Sequence, residues 1–114
     1  MQDAVALREK KVGDVLIIYI KGRLDAISSI EAEKQIFNFI DEGHTKMILN
    51  FAELDYLSSV GMRLLLRATK KLKALSGKLV VCHVSISVMD ILKMSGFDHV
   101  IDFTRTEEEA LKKF

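Results

Sequence analysis

The sequence holds a single cysteine among 114 residues. Cys82 therefore has no partner for an internal disulfide, which points to a reducing compartment, and its place in the run Leu79-Val80-Val81-Cys82 suits a thiol acting as a small hydrophobe. Charge of one sign is also lacking. Seventeen basic side chains against sixteen acidic ones leave a formal net charge of +1, so no global field gathers phosphate backbones or anionic lipids, and neither nucleic acid nor a membrane is expected as a partner. No apolar stretch approaches the roughly 18 residues of a membrane span. Met1-Gln2-Asp3-Ala4-Val5 shows no basic start followed by an apolar signal core, and a cytoplasmic protein is the expectation. A Gly-rich phosphate loop, paired cysteines and His-x-x-x-His spacing are all missing, so neither a metal nor a cofactor is expected.

Hydrophobic residues make up 49% of the chain and charged residues 29%, an ordinary globular balance that suits one domain spanning residues 1–114. Val5-Ala6-Leu7 and Val15 to Ile20 are β-rich runs on either side of Gly13-Asp14, which predicts an antiparallel hairpin. Ser28-x-x-Glu31 has the form of a capping box at the start of a helix carrying Ala32, Ile36, Phe37 and Ile40, with Gly43 after it. Met47 to Phe51 reads as a short buried strand. A loop then leads into the clearest helix, with Val60, Leu64, Leu65, Ala68, Leu72 and Leu75 on one face and Gly77 closing it. Its basic run, Arg67 to Lys73, reads as a solvated face near a helix end. Leu79 to Val84 is a further buried strand, Ser87-x-x-Asp90 opens a helix that stops at Gly96, Val100 to Phe103 is a last strand, and Thr106-x-x-Glu109 caps a terminal helix. Strands alternating with helices predict an α/β fold: a mixed, mostly parallel sheet with an N-terminal antiparallel hairpin and about four helices.

Ser58 and Ser59 fall where the loop meets the best helix. Either hydroxyl can cap a helix amide, and the same position suits a phosphoryl group, because first-turn amides and the positive end of the helix dipole stabilise an anion. Gly61, in the first turn, signals a close approach either by a partner or by the domain's own backbone. Met62 and Leu66 lie off the main apolar face, as contact residues or as a second packed face. A Ser-His-Asp hydrolase would need a base beside the serine, and His44, His83 and His99 belong to no local catalytic pattern. Leu57 to Gly61 matches only the second half of a nucleophile elbow.

Several ordered segments carry a resemblance: Gly22-Arg23-Leu24-Asp25-Ala26, Ile48-Leu49-Asn50-Phe51, Leu54-Asp55-Tyr56-Leu57-Ser58-Ser59-Val60-Gly61-Met62-Arg63-Leu64-Leu65, Gly77 to Val81 and Gly96 to Ile101. In these the chain resembles the STAS domains, and in particular the stand-alone anti-sigma factor antagonists. The resemblance implies a phosphorylation-controlled, protein-binding regulator of transcription rather than an enzyme. In such partner switching the unphosphorylated domain binds an anti-sigma factor with serine kinase activity, the kinase phosphorylates it, and a serine phosphatase resets it. Ser59 matches the phosphoacceptor and Asp25 an acidic position beside it that helps dock the kinase. The expected partner-binding set is Asp25, Leu57, Ser58, Val60, Gly61 and Met62. Ser58 departs from the aspartate that many antagonists carry just before the acceptor. The alternative role is a STAS module that is not phosphorylated and binds a nucleotide or lipid, or serves as a signalling scaffold.

Overall fold

A computed structural model describes residues 5–114; the reading of a missing leader at Met1 to Ala4 lies outside the described residues. Strands β1 (Val5–Val12) and β2 (Val15–Leu24) form the predicted hairpin, in register from Val5 opposite Gly22 to Val12 opposite Val15. Gly13, at φ 63°, turns the chain between them in a conformation that costs glycine no steric penalty. There follow α1 (Ser28–Asp41), β3 (Lys46–Asn50), β4 (Leu54–Leu57), α2 (Ser59–Ala74), β5 (Lys78–Cys82), α3 (Ile86–Met94), a 3-10 turn (Phe97–His99), β6 (Asp102–Thr104) and α4 (Glu107–Leu111).

The sheet runs β1-β2-β3-β5-β6, with β4 also paired to β2. All pairings except the hairpin are parallel, as the alternation of strands and helices predicts. Because β1 lines one side of β2 along its length, β4 takes the other side beyond the end of β3. Accordingly β2 pairs with β3 over Leu16 to Tyr19 and with β4 over Gly22 to Leu24. On one sheet face Leu16, Ile18 and Ile20 of β2, with Met47, Leu49 and Val81, meet Ile36 and Ile40 of α1 and Leu64, Leu65 and Leu72 of α2. On the other, Val15, Ile17, Ile48, Val80 and Cys82 meet Ala110 of α4, flanked by Leu111 and Phe114. Cover on both faces explains why β2 reads as an almost unbroken apolar run. Each fully buried leucine or isoleucine contributes about 1.5–3 kcal/mol.

The acidic start of α4 is structural. Thr106 and Glu109 form the predicted capping box, while Glu107 Oε1 accepts hydrogen bonds from Tyr19 Oη at 2.8 Å and Asn50 Nδ2 at 3.1 Å, clasping the helix to β2 and β3. Within the basic run of α2, Arg67 Nε donates to Glu33 Oε2 of α1 at 3.0 Å.

Five local expectations are corrected. The loop after Asn50 contains β4, whose buried Leu54 and Leu57 flank exposed Asp55 and Tyr56; that spacing is not the simple alternation by which a strand is recognised. Ser28 does not cap α1: its Oγ donates to Arg23 O at 2.6 Å and accepts from Asp25 N at 3.0 Å, so it is committed to the preceding loop. Helix α2 is ended by Ser76, at φ 60°, and not by a left-handed Gly77. Gly77 is instead a close approach, where a Cβ would stand 2.2 Å from Thr45 O. Helix α3 begins two residues earlier than read, because Ser85 and not Ser87 caps it, through Val88 N at 3.2 Å. The last strand starts at Asp102, since Phe97 to His99 are wound into the 3-10 turn and Val100 caps it.

Candidate functional site

Strand β4 delivers the serine pair to its position. Ser58 N donates to Leu24 O at 2.9 Å, one last rung beyond the β2–β4 pairing. With φ −84° and ψ 172°, Ser58 is still extended, and its Oγ accepts from Gly61 N at 3.1 Å. It is therefore the N-cap of α2, and Met62 N to Ser58 O at 2.9 Å is the first bond of the helix. Ser59 takes the first helical position and is exposed. The amides of Ser59 and Val60 have no acceptor among the described residues, as expected of a helix start.

The Leu24–Ser58 bond also fixes where Asp25 lies, since Asp25 follows the one partner as Ser59 follows the other. Asp25 Oδ1 accepts from Ser28 N at 2.8 Å, Ile27 N at 3.0 Å and Ser28 Oγ at 3.0 Å. The bonds from Ser28, backbone first and then side chain, together with that from Ile27 and the charge of Arg23, hold its carboxyl below the ordinary carboxylate value. Asp25 thus shapes the entrance to α1 in the place assigned to Ser28, while keeping its negative charge at the same end of the sheet as Ser59.

Gly61 resolves in favour of packing within the domain. It is buried, and a Cβ there would lie 2.7 Å from Leu57 Cδ1 and 3.1 Å from both Cβ and O of Leu24. Leu57 and Met62 are buried too, at 2% and 8% exposure. Of the expected partner-binding set, Ser58, Val60 and Asp25 are half-buried beside the exposed Ser59, while Leu57, Gly61 and Met62 are buried. Met62 belongs to the core cluster with Leu64 and Leu65; it faces a neighbouring layer that single-helix periodicity does not reveal.

Sequence reasoning missed two neighbours. The Arg23 guanidinium lies over the Tyr56 ring, 4.4 Å from its centroid, across the β2–β4 pairing. Ile27 and Ile30, at 82% and 66% exposure, stand at the start of α1 beside Asp25. The isoleucines were detectable, since both lie off the Ala32, Ile36 and Ile40 face; Arg23 over Tyr56 was not, because β4 was unread. The histidines lie elsewhere: His44 stands edge-on to Phe39, His83 is exposed at φ 56°, and His99 faces Asp98 at 3.8 Å. Among the described residues no helix is long and apolar enough to cross a membrane.

Comparison with known proteins gives a consistent result. A family model described as the STAS domain matches residues 6–110. The chain is 28% identical over 104 residues to BtrV of Bordetella bronchiseptica, provisionally named an anti-sigma factor antagonist, covering 91% of this chain and 90% of that protein. A Thermotoga maritima crystal structure under a similar provisional name has a TM-score of 0.90 at 19% identity, covering 94% and 92% of the two chains, and shows the fold alone. Two structures of SpoIIAA are nearer in sequence. The unphosphorylated anti-sigma factor antagonist matches with a TM-score of 0.80 at 27% identity over 95% of each chain. The phosphorylated form, named a Bacillus cell fate determinant, matches with a TM-score of 0.72 at 26% identity over 95% of this chain and 98% of that one.

Proposed function

The chain belongs to the STAS domain family, and on that premise we propose that it is an anti-sigma factor antagonist, a single regulatory domain over residues 1–114 that works in the cytoplasm by partner switching. Unmodified, it binds an anti-sigma factor with serine kinase activity; phosphorylated on Ser59, it lets that partner go; a serine phosphatase restores it. ATP and the groups that transfer phosphate belong to the kinase, and this chain supplies the acceptor hydroxyl and the docking surface.

The observation that carries this reading is the division of labour in the serine pair. Ser58 spends its hydroxyl on the α2 cap, so the exposed hydroxyl of Ser59 is available without cost to the fold. A phosphate there would add about −1.5 to −2 charges at neutral pH. The first-turn amides and the helix dipole tolerate that charge, whereas a partner surface docked over it would have to desolvate it. Asp25, Val60 and the exposed Ile27 lie at the same end of the sheet and offer one carboxylate and apolar contact area, a combination suited to protein docking.

Incubation with the candidate anti-sigma kinase and ATP, followed by mapping of the phosphate by mass spectrometry, tests the assignment; modification confined to another residue overturns it. Ser59→Asp is expected to weaken kinase binding while Ser59→Ala retains it and cannot be released. Equal affinities for the two variants would refute the charge switch.

A further inference from the structure

Strand β6 ends the sheet, and its outer backbone edge pairs with no described strand. The opposite edge, β1, carries Arg8, Glu9, Lys10 and Lys11 in succession, a charged edge of the kind that discourages pairing. β6 has only Asp102 within its three residues. It is also flanked by a depression on each face of the sheet. Thr104 is in register with Cys82 on the α4 side, and there a space of about 630 Å³ is lined by Phe103, Thr104, Arg105, Glu109, Lys112 and Lys113. Phe103 is in register with Val81 on the opposite side, where a space of about 250 Å³ is lined by Val84, Met89, Phe103, Thr104 and Arg105.

Successive side chains of a strand point to opposite faces. A chain segment added alongside β6 would therefore place its side chains alternately in the two depressions. Their chemistry differs. The α4 side holds three cations against one carboxylate, and Glu109 Oε1 is engaged by Arg105 N at 3.1 Å and Thr106 N at 3.3 Å. Among the described residues Arg105, Lys112 and Lys113 enter no ion pair. The α3 side shares Phe103, Thr104 and Arg105 with the α4 side and adds only Val84 and Met89, both apolar.

We propose that the β6 edge is a second docking site, which takes an extended peptide segment of a partner by strand addition, with acidic side chains toward Lys112 and Lys113, apolar ones toward Val84 and Met89, and Arg105 between the two. A three-residue edge offers few backbone bonds, so recognition depends on filling both depressions, which excludes strands without this alternation. The site is separated from Ser59 by β3 and β5 in the sheet order and stands independently of the phosphorylation reading.

The test uses a fluorescent synthetic peptide of alternating glutamate and valine, titrated against the whole protein by anisotropy, with amide shifts followed by NMR. Saturable binding below about 1 mM is expected, with shifts confined to β6, Arg105, α4 and the start of α3. The Arg105→Glu/Lys112→Glu double variant should bind about tenfold more weakly or worse, and a peptide N-methylated at alternate residues should lose binding to the unaltered protein. The proposal is overturned if the N-methylated peptide or an alternating lysine and valine peptide binds as well. It is equally overturned if ATP, as a small anionic probe, shifts these residues while the peptide does not.

Discussion

Gly61 and Gly77 both lie outside the left-handed backbone region, so replacing each by alanine introduces no backbone strain and tests chiefly the space around it. At Gly61 the new Cβ meets the tip of Leu57 at 2.7 Å and Leu24 Cβ and O at 3.1 Å. The Leu57 tip can move, though only within a packed core. Alanine gains about 1 kcal/mol of helix propensity there, against an overpacking cost of about 1–3 kcal/mol, which leaves a net loss of roughly 0–2 kcal/mol. Gly77 lies beyond the end of α2 and has no such gain. Its Cβ would stand 2.2 Å from Thr45 O, which Lys78 N holds at 2.9 Å at the start of the β3–β5 pairing. No side chain can swing aside, so relief requires backbone movement, and the loss should reach about 3 kcal/mol or more. At roughly 4 °C per kcal/mol for a domain of this size, Gly77→Ala should lower Tm by about 12 °C and Gly61→Ala by at most about 8 °C. Urea denaturation and thermal melts followed by circular dichroism measure both. Equal stability of the two variants, or a Gly77→Ala protein as stable as the wild type, would refute the reasoning.

Three further outcomes are expected. Ser58→Ala should cost about 1 kcal/mol through loss of the α2 cap while Ser59→Ala costs close to nothing; equal losses in urea denaturation would show that the two hydroxyls do not divide their roles. Burial, and after it the charges of Glu107 and Glu108, push the Cys82 thiol up to about 12, so iodoacetamide should label it only as the protein unfolds, and labelling of the folded protein at the rate of the denatured chain would contradict its place under α4. The carboxyl of Asp25 titrates in the folded protein below its ordinary value of 3.8. Its ionised form therefore favours folding above that value, and the benefit disappears as the pH falls through the lower folded value. The stability difference between wild type and Asp25→Asn should be constant near neutrality and shrink in acid; a difference that widens in acid would reverse the sign.

What was legible in the sequence followed from long, uniform patterns. The hairpin, the apolar face of α2 and the Thr106–Glu109 capping box each repeat one rule over several residues, and the fold class followed from their alternation. β4 escaped because it is short, with two exposed residues between its buried ones, and its existence depends on a partner, β2, that is distant in sequence. The cap of α1 was misplaced for a related reason: Asp25 and Ser28 are both capping residues, and the choice between them was settled by Arg23 O, which captured the Ser28 hydroxyl. At the site itself, the serine pair and Asp25 were identifiable one by one. Their nearness depends on the unread β4, and the burial of Leu57, Gly61 and Met62 depends on how α2 settles against Leu24.

The place of Ser58 bears on how the proposed switch would be tuned. Many antagonists to which the chain bears resemblance carry aspartate there, and as N-caps aspartate and serine are nearly equivalent, so the fold gives no reason to prefer one. The difference lies in charge. An aspartate cap would place a permanent negative charge beside the acceptor, favouring the helix dipole but repelling a phosphate on the next residue. With serine as the cap that charge is absent, and the Oδ1 of Asp25, at the same end of the sheet, is already engaged by hydrogen bonds from Ile27 and Ser28. A phosphate on Ser59 would therefore meet less repulsion and draw more fully on the amides of Ser59 and Val60. Serine at this position is thus compatible with the acceptor role proposed for Ser59: it preserves the cap and would ease the accommodation of a phosphate on the next residue.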